Sequence, residues 1–272
     1  MTTVHGTGEH RDSVTTTQPL PWQRHVHEEE VWGTVVTFDL RGPSIDPDAA
    51  QQACAAAARE LHRIDEWLSP FRQDSAVSRI RTHHLKPAEA PEAVREVISG
   101  CADVTRLSKG AFDPWKAPGG FDPSGYVKGW GADRAARILQ VHGFANVSVN
   151  AAGDVTCRGA AAPDLDGWRI GIADPRDHSQ VITSVLVKDA HLATSARYER
   201  GDHIVDPATG RPALTVDSAS VLAKDGGFAD AYATALTVRG PAGLPEVTAI
   251  EASAYLITGG RVWSVGDAFA RA

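Results

Sequence analysis

The chain has 272 residues, of which 42% are hydrophobic and 22% charged, the make-up of a globular protein able to bury one sizeable core. Its 27 Lys and Arg against 34 Asp and Glu leave a formal net charge of −7, which argues against a protein that grips nucleic-acid phosphates or an anionic lipid surface. The three cysteines, Cys54, Cys101 and Cys157, are widely spaced and form no CxxC pair, so a zinc cage and a thioredoxin-like couple are both excluded and small buried thiols are expected.

The first 25 residues lack the apolar stretch of a signal peptide and a cysteine for lipid attachment. No uncharged apolar run approaches the roughly 20 residues that span a bilayer. The sequence therefore reads as a soluble, cytoplasmic chain with a flexible tail over 1–25 and one folded unit over 26–272.

A β-branched, partly alternating run predicts a strand over 31–40. Asp46-Pro47 then opens a helix, with Asp as cap and Pro in the first turn. Ala53, Ala57, Leu61, Ile64 and Leu68 share its buried face, and Ser69-Pro70 stops it. A second helix over 90–109 carries Val94, Val97, Cys101, Val104 and Leu107 and ends at Gly110. A turn-rich stretch follows, then a helix over 126–142, a strand over 145–149 and the turn Ala151-Ala152-Gly153-Asp154. Strands are expected over 168–173, 181–187, 218–223, 254–258 and 261–265, with helices over 228–238 and 245–250. No sequence period of 20 to 50 residues is visible, and the mixture reads as a single α+β unit.

Several familiar signatures are missing. There is no GxxxxGK[ST], HExxH or GxSxG. Gly129-Trp130-Gly131 begins like a dinucleotide fingerprint, but position 134 is Arg and no strand immediately precedes it, so that reading is rejected.

Four constellations can carry chemistry, and each has a plainer alternative. Lys128 sits in the first turn of a helix, where a cation is disfavoured; either a bound phosphate accounts for it, or it is a solvated lysine beside the capping Asp122. His203 precedes the turn Asp206-Pro207-Ala208-Thr209-Gly210 and reads either as a general base or as a local hydrogen-bond partner. Asp230 and Thr234 share a helical face, which suits either a hard cation such as Mg²⁺ or a capping Asp with a back-bonded Thr. Gly110-Ala111-Phe112-Asp113-Pro114 either flanks a flat heteroaromatic ligand or is simply a helix stop followed by a turn.

Taken together and in order, these segments resemble the ApbE family of FAD:protein FMN transferases. The resemblance is carried by Trp32-Gly33-Thr34, Ser69-Pro70-Phe71 and the segments 110–114, 122–130, 149–154, 193–200, 203–210 and 229–236, so that it runs from about residue 31 to the C-terminus. It implies a T-fold-like architecture of mixed helices and antiparallel sheet. It also implies an enzyme that, with Mg²⁺, transfers FMN from FAD to a Thr or Ser hydroxyl of a target flavoprotein and releases AMP. On the matching positions, Trp32, Phe71, Ala111, Phe112, Asp113, Asp122, Lys128, Ser195, His203 and Ile204 are expected around FAD. The Gly125 carbonyl, Asp230 and Thr234 are expected to hold Mg²⁺, and His203 to take the proton, so that His203, Lys128 and Asp230 form the catalytic set.

Four departures from the family pattern accompany the resemblance. Trp32 stands where methionine is usual, Ala152 and Ala196 where glycine is common, and only seven residues separate Pro114 from Asp122. No lipoprotein leader is recognisable, so a cytosolic target is expected; an exported form without its leader is the alternative. Two other activities stay open, a flavin carrier without transfer activity and a pyrophosphatase yielding FMN and AMP. The chain is not itself read as a flavinylation target, because its nearest match, Asp217-Ser218-Ala219-Ser220-Val221-Leu222, ends in leucine rather than a hydroxyl.

Overall fold

The computed structural model describes residues 22–196 and 204–269. Strand β1 (Gln23–Val31) and β2 (Thr34–Gly42) form a tight antiparallel hairpin. Its turn is Trp32-Gly33, with φ of 59° and 70°, the left-handed pair of a type I′ turn. This corrects the single strand expected over 31–40, and residues 23–25, read from sequence as tail, pair with 40–42. Gln23-Arg24-His25 looks like a solvated tail because β1 is an edge strand with one wet face.

Helix α1 (Pro47–Leu68) starts on Asp46, whose carboxylate accepts the Asp48 and Ala49 amides, and it buries the expected Ala53, Ala57, Leu61, Ile64 and Leu68. Ser75 caps a short α2 (Ala76–Arg81), which six residues of weak periodicity did not announce. Then come α3 (Glu92–Leu107) and α4 (Ser124–Val141), followed by β3 (Asn146–Ala151) and β4 (Asp154–Arg158) joined through Ala152-Gly153. Strands β5 (Trp168–Asp174) and β6 (Asp177–Val187) form a separate hairpin. The chain continues through β7 (Ala190–Ala196), β8 (Ser218–Ala223), α5 (Gly226–Arg239), α6 (Leu244–Ala249), β9 (Ser253–Thr258) and β10 (Arg261–Val265). β4 alternates polar and apolar residues over Asp154–Arg158, a short strand signal the sequence analysis does not use, whereas β7 is buried along most of its length and does not alternate.

Eight strands make one antiparallel sheet in the order β1-β2-β3-β4-β7-β8-β9-β10, in agreement with the expected α+β class. The order hairpin, helices, hairpin therefore occurs twice. β1-β2, α1 to α4 and β3-β4 make one half; β7-β8, α5, α6 and β9-β10 make the other. The halves meet where β4 and β7 pair over three residues. Helices cover one face of the sheet, and the β5-β6 hairpin covers Val155, Cys157 and Leu192 on the other. The three cysteines are free and buried, and burial pushes the thiols of Cys54 and Cys157 up to about 11 and about 12, as expected of inert thiols.

On the helical face the two halves touch backbone to backbone. A Cβ added to Gly129 of α4 would lie 2.0 Å from the Gly226 carbonyl oxygen, and one added to Gly226 of α5 would lie 2.2 Å from that of Gly129. This crossing, not a dinucleotide fingerprint, is why Gly129 is glycine. Beside it, Asp133 accepts the Gly226 amide at 2.7 Å, Arg158 Nη2 at 2.9 Å and the Thr156 hydroxyl at 3.2 Å. Thr156 in turn lies 2.5 Å from Nδ1 of the fully buried His191.

Two outcomes follow for stability. Gly226→Ala forces a methyl into a carbonyl and is expected to cost about 3 kcal/mol, read from urea unfolding. Burial holds the His191 imidazole below its usual 6.5, with Asp133 opposing that effect. The folded state thus resists a proton that the unfolded chain accepts. Stability is full above about pH 6.5 and falls as pH drops below it, by up to about 1.4 kcal/mol per pH unit from this one group. Unfolding midpoints measured between pH 5 and 8 should show this slope, and His191→Gln should flatten it.

Candidate active site

The loop before α4 is held by two carboxylates. Asp113 accepts the Trp115 amide at 3.1 Å and so fixes the tight turn Pro114–Lys116. Asp122 accepts both the amide and the hydroxyl of Ser124, at 3.0 and 2.5 Å, and pairs with Arg81 Nη2 at 3.0 Å. Arg81 also donates to the Phe121 and Pro70 carbonyls. One guanidinium thereby ties the loop after α1 to the loop before α4. Sequence reading missed Arg81, which ends a short helix and belongs to no recognisable pattern.

At the start of α4, Gly125 leaves helical geometry, with φ −81° and ψ 20°. A Cβ at Gly125 would come within 3.0 Å of Thr234 Oγ1 and 3.4 Å of the Phe112 ring. Glycine therefore lets this kinked backbone approach α5. Thr234 Oγ1 lies 3.4 Å from Ser195 Oγ on β7. Asp230, one turn before Thr234 and 3% exposed, accepts the Gly129 amide at 3.3 Å. The cap of α5 is Asp225, which accepts the Phe228 amide, so Asp230 is not a capping residue.

Lys128 is ion-paired to Asp154, which is 1% exposed and also accepts the Thr194 amide at 3.2 Å. The first-turn lysine is thus compensated by a buried sheet carboxylate, and not by Asp122, which Arg81 holds. Asp154 closes a segment the sequence reading quoted without giving it a role. Positions 154, 156 and 158 share one face of β4, and each side chain there contacts α4 or a residue bonded to it. The strain of Ala152, at φ 55°, is confined to the turn that delivers Asp154. Ala196 is buried in extended β7 and does not share that strain.

Two hollows open on this cluster. The first is lined by Ala111, Phe112, Asp113, Asp122, Gly125, Lys128, Ser195, Ile204, Asp230 and Thr234. The second is lined by Trp32, Leu68, Phe71 and Val127, and it shares Ser124 and Lys128 with the first. Every sequence-predicted site residue within the described residues therefore falls on one of two adjoining hollows. His203 lies outside the described residues; its neighbour Ile204 is on the first hollow's wall. Trp32, at the hairpin turn, packs its ring against Gly131, where a Cβ would meet Cη2 at 2.7 Å. Phe71 stands 88% exposed at the rim of the second hollow.

The donors around Gly125 are all oxygens: one carboxylate, two hydroxyls and a kinked backbone carbonyl. Such a set fits a hard cation that takes one carboxylate and completes its shell with water and phosphate oxygens. It does not fit zinc, which prefers nitrogen and sulfur. Among the described residues no group of three or more His, Cys, Asp or Glu side chains is placed to hold a metal ion unaided. No helix among them is long and apolar enough to cross a membrane.

The family model described as the ApbE family matches residues 32–120 and 116–256. The FAD:protein FMN transferase of Escherichia coli (strain K12) is 26% identical over 318 aligned residues, covering 93% of this chain and 89% of that protein. That of Rhodobacter capsulatus is 36% identical over 138 residues, 47% of this chain and 26% of its own length. Among solved structures, the flavin transferase ApbE of Vibrio cholerae superposes with a TM-score of 0.80 at 23% identity, over 90% of this chain and 97% of that one. The ApbE protein of Thermotoga maritima gives 0.76 at 25% identity, over 89% and 96%. Since the family model spans most of the described residues and solved relatives share the fold nearly end to end, the chain belongs to the ApbE family.

Proposed function

We propose that this chain transfers the FMN half of FAD to a Thr or Ser hydroxyl of a target flavoprotein and releases AMP. The observation that carries this reading is the meeting of two hollows at Lys128 and Ser124, with Asp230, Thr234 and Gly125 alongside. A dinucleotide has two ring systems joined by a diphosphate. It needs two compartments with cation-bearing chemistry at their junction, which is the arrangement these residues offer.

In the reaction, the acceptor oxygen bonds to the phosphorus of the FMN half and the bond to the AMP oxygen breaks. Negative charge shifts onto the departing AMP phosphate. Lys128 offsets the charge of the diphosphate, and its bond to Asp154 fixes the direction from which it does so. Phe112 and Asp113 wall the first hollow, and Trp32 and Phe71 wall the second, so each ring system has an aromatic neighbour. His203, next in sequence to Ile204, is the group assigned to take the acceptor's proton. Asp230, Thr234 and the Gly125 carbonyl are the ligands assigned to Mg²⁺, which when bound supplies Lewis-acid neutralisation of the phosphate oxygens. FAD is a substrate here, not a resident cofactor.

Incubation with FAD, Mg²⁺ and a protein carrying a flavinylation motif should add the mass of one FMN to that protein and release AMP. An unmodified acceptor in the presence of bound FAD overturns transfer. AMP release that needs no acceptor identifies a pyrophosphatase, and binding without AMP identifies a carrier. Asp230→Ala should lower metal-dependent turnover by about 100-fold or more while the unfolding midpoint stays measurable. Unchanged turnover would remove Asp230 from the site.

A further inference from the structure

The two helices that cross at glycine carry the same short pattern. On α4 it is Gly129-Trp130-Gly131-Ala132-Asp133; on α5 it is Gly226-Gly227-Phe228-Ala229-Asp230. In each, an aspartate lies one helical turn after the crossing glycine and on the same side. The bonds between them are reciprocal. The Gly226 amide donates to Asp133 at 2.7 Å, and the Gly129 amide donates to Asp230 at 3.3 Å. Both carboxylates are buried, at 3% exposure each. Their second partners differ. Asp133 faces inward and is neutralised by Arg158 of β4 at 2.9 Å, whereas Asp230 lines the open hollow.

We infer that Asp133 is a positioning residue for Asp230. It holds the first amide of α5 against α4, and so sets the height and rotation at which Asp230 and Thr234, one and two turns on, enter the site. Arg158 and Thr156 anchor Asp133 to the sheet, so the carboxylate that locates α5 is itself fixed from two sides. Gly129 completes the arrangement, since its amide meets Asp230 directly and its missing side chain lets α5 come close enough to be clasped. The inference rests on the reading of Asp230 as a cation ligand given under Proposed function.

The test uses two variants of the full chain, Asp133→Asn and Asp133→Ala. Asn keeps an acceptor for the Gly226 amide and loses the charge that Arg158 meets; Ala loses both. Binding of Mn²⁺, followed by electron paramagnetic resonance in the presence of FAD, should weaken by about tenfold or more in Asp133→Ala and by a smaller factor in Asp133→Asn. Hydrogen exchange followed by mass spectrometry, without metal or FAD, should show faster exchange over 226–231 while β8 and β9 keep wild-type rates. A residue of purely global structural importance would raise exchange across the whole chain and leave the Mn²⁺ affinity of the folded fraction unchanged.

If exchange over 226–231 is unaltered in either folded variant, the inference is overturned whatever the metal does. Wild-type Mn²⁺ affinity in either variant overturns it as well. Should Asp133→Ala fail to fold, Asp133→Asn decides. Absence of Mn²⁺ binding by the wild-type chain with FAD present counts against Asp230 as a ligand, and local exchange then remains the measure of the clasp.

Discussion

The site depends on two helices touching without side chains between them. Helix pairs usually stand 8–10 Å apart because side chains fill the gap. At Gly129 and Gly226 there is nothing to fill it, and each carbonyl occupies the place where the other residue's Cβ would be. The approach lets a backbone amide on each helix reach an aspartate on its neighbour. It also brings Gly125 of α4 against Thr234 of α5, so that groups distant in sequence converge.

Around that contact the charges are set in three groups. Asp133 and Arg158 are bonded to the sheet and to the α5 amide. Asp154, the most buried of them, pairs with the half-buried Lys128 and lies on the same face of β4 as Arg158. The third is Arg81, which joins Asp122 to the carbonyls of Pro70 and Phe121. A buried charge without a partner is costly. Here Asp133 and Asp154 are each paired with a cation, and the second pair sets how Lys128 faces the first hollow, which Lys116 also lines. Lys128 is directed by an acid beneath it, and Arg81 is spent on holding two loops together.

Much of this was legible in the amino-acid sequence, and the reasons for the rest are local. Helix α1 was legible because its apolar residues repeat at helical spacing behind an Asp-Pro start. β10 was legible because Val262 and Val265 flank Trp263 between glycine turns, and β8 because a short apolar-bearing run stands between turn residues. The Trp32-Gly33 turn was not, since tryptophan at a left-handed position is no ordinary turn signal. β4 was not expected as a strand: its alternation runs over only five residues, and Asp154, its first, stands in the turn that the sequence does mark. The site residues came from the ordered set of motifs and not from any single one; the structure gathers those in the described residues around two adjoining hollows. Arg81, Asp133 and the role of Asp154 could not be read, because each acts through a partner 26 to 93 positions away. The repeated order of hairpin, helices and hairpin is likewise invisible as a sequence period, since the two halves differ in length and in their inserted elements.

The seam between the halves has a mechanical consequence. β4 and β7 pair over three residues, whereas β7 and β8 pair over six. Lys128 comes from one side of that seam and Asp230 from the other. A sliding of the halves by a fraction of a hydrogen-bond length would leave each half's own ladder intact yet pull the lysine away from the aspartate. The two residues to which the proposed reaction assigns the diphosphate are therefore mounted across the sheet's shortest strand pairing, so in that reading the rigidity of this joint bears on turnover even at residues no substrate reaches.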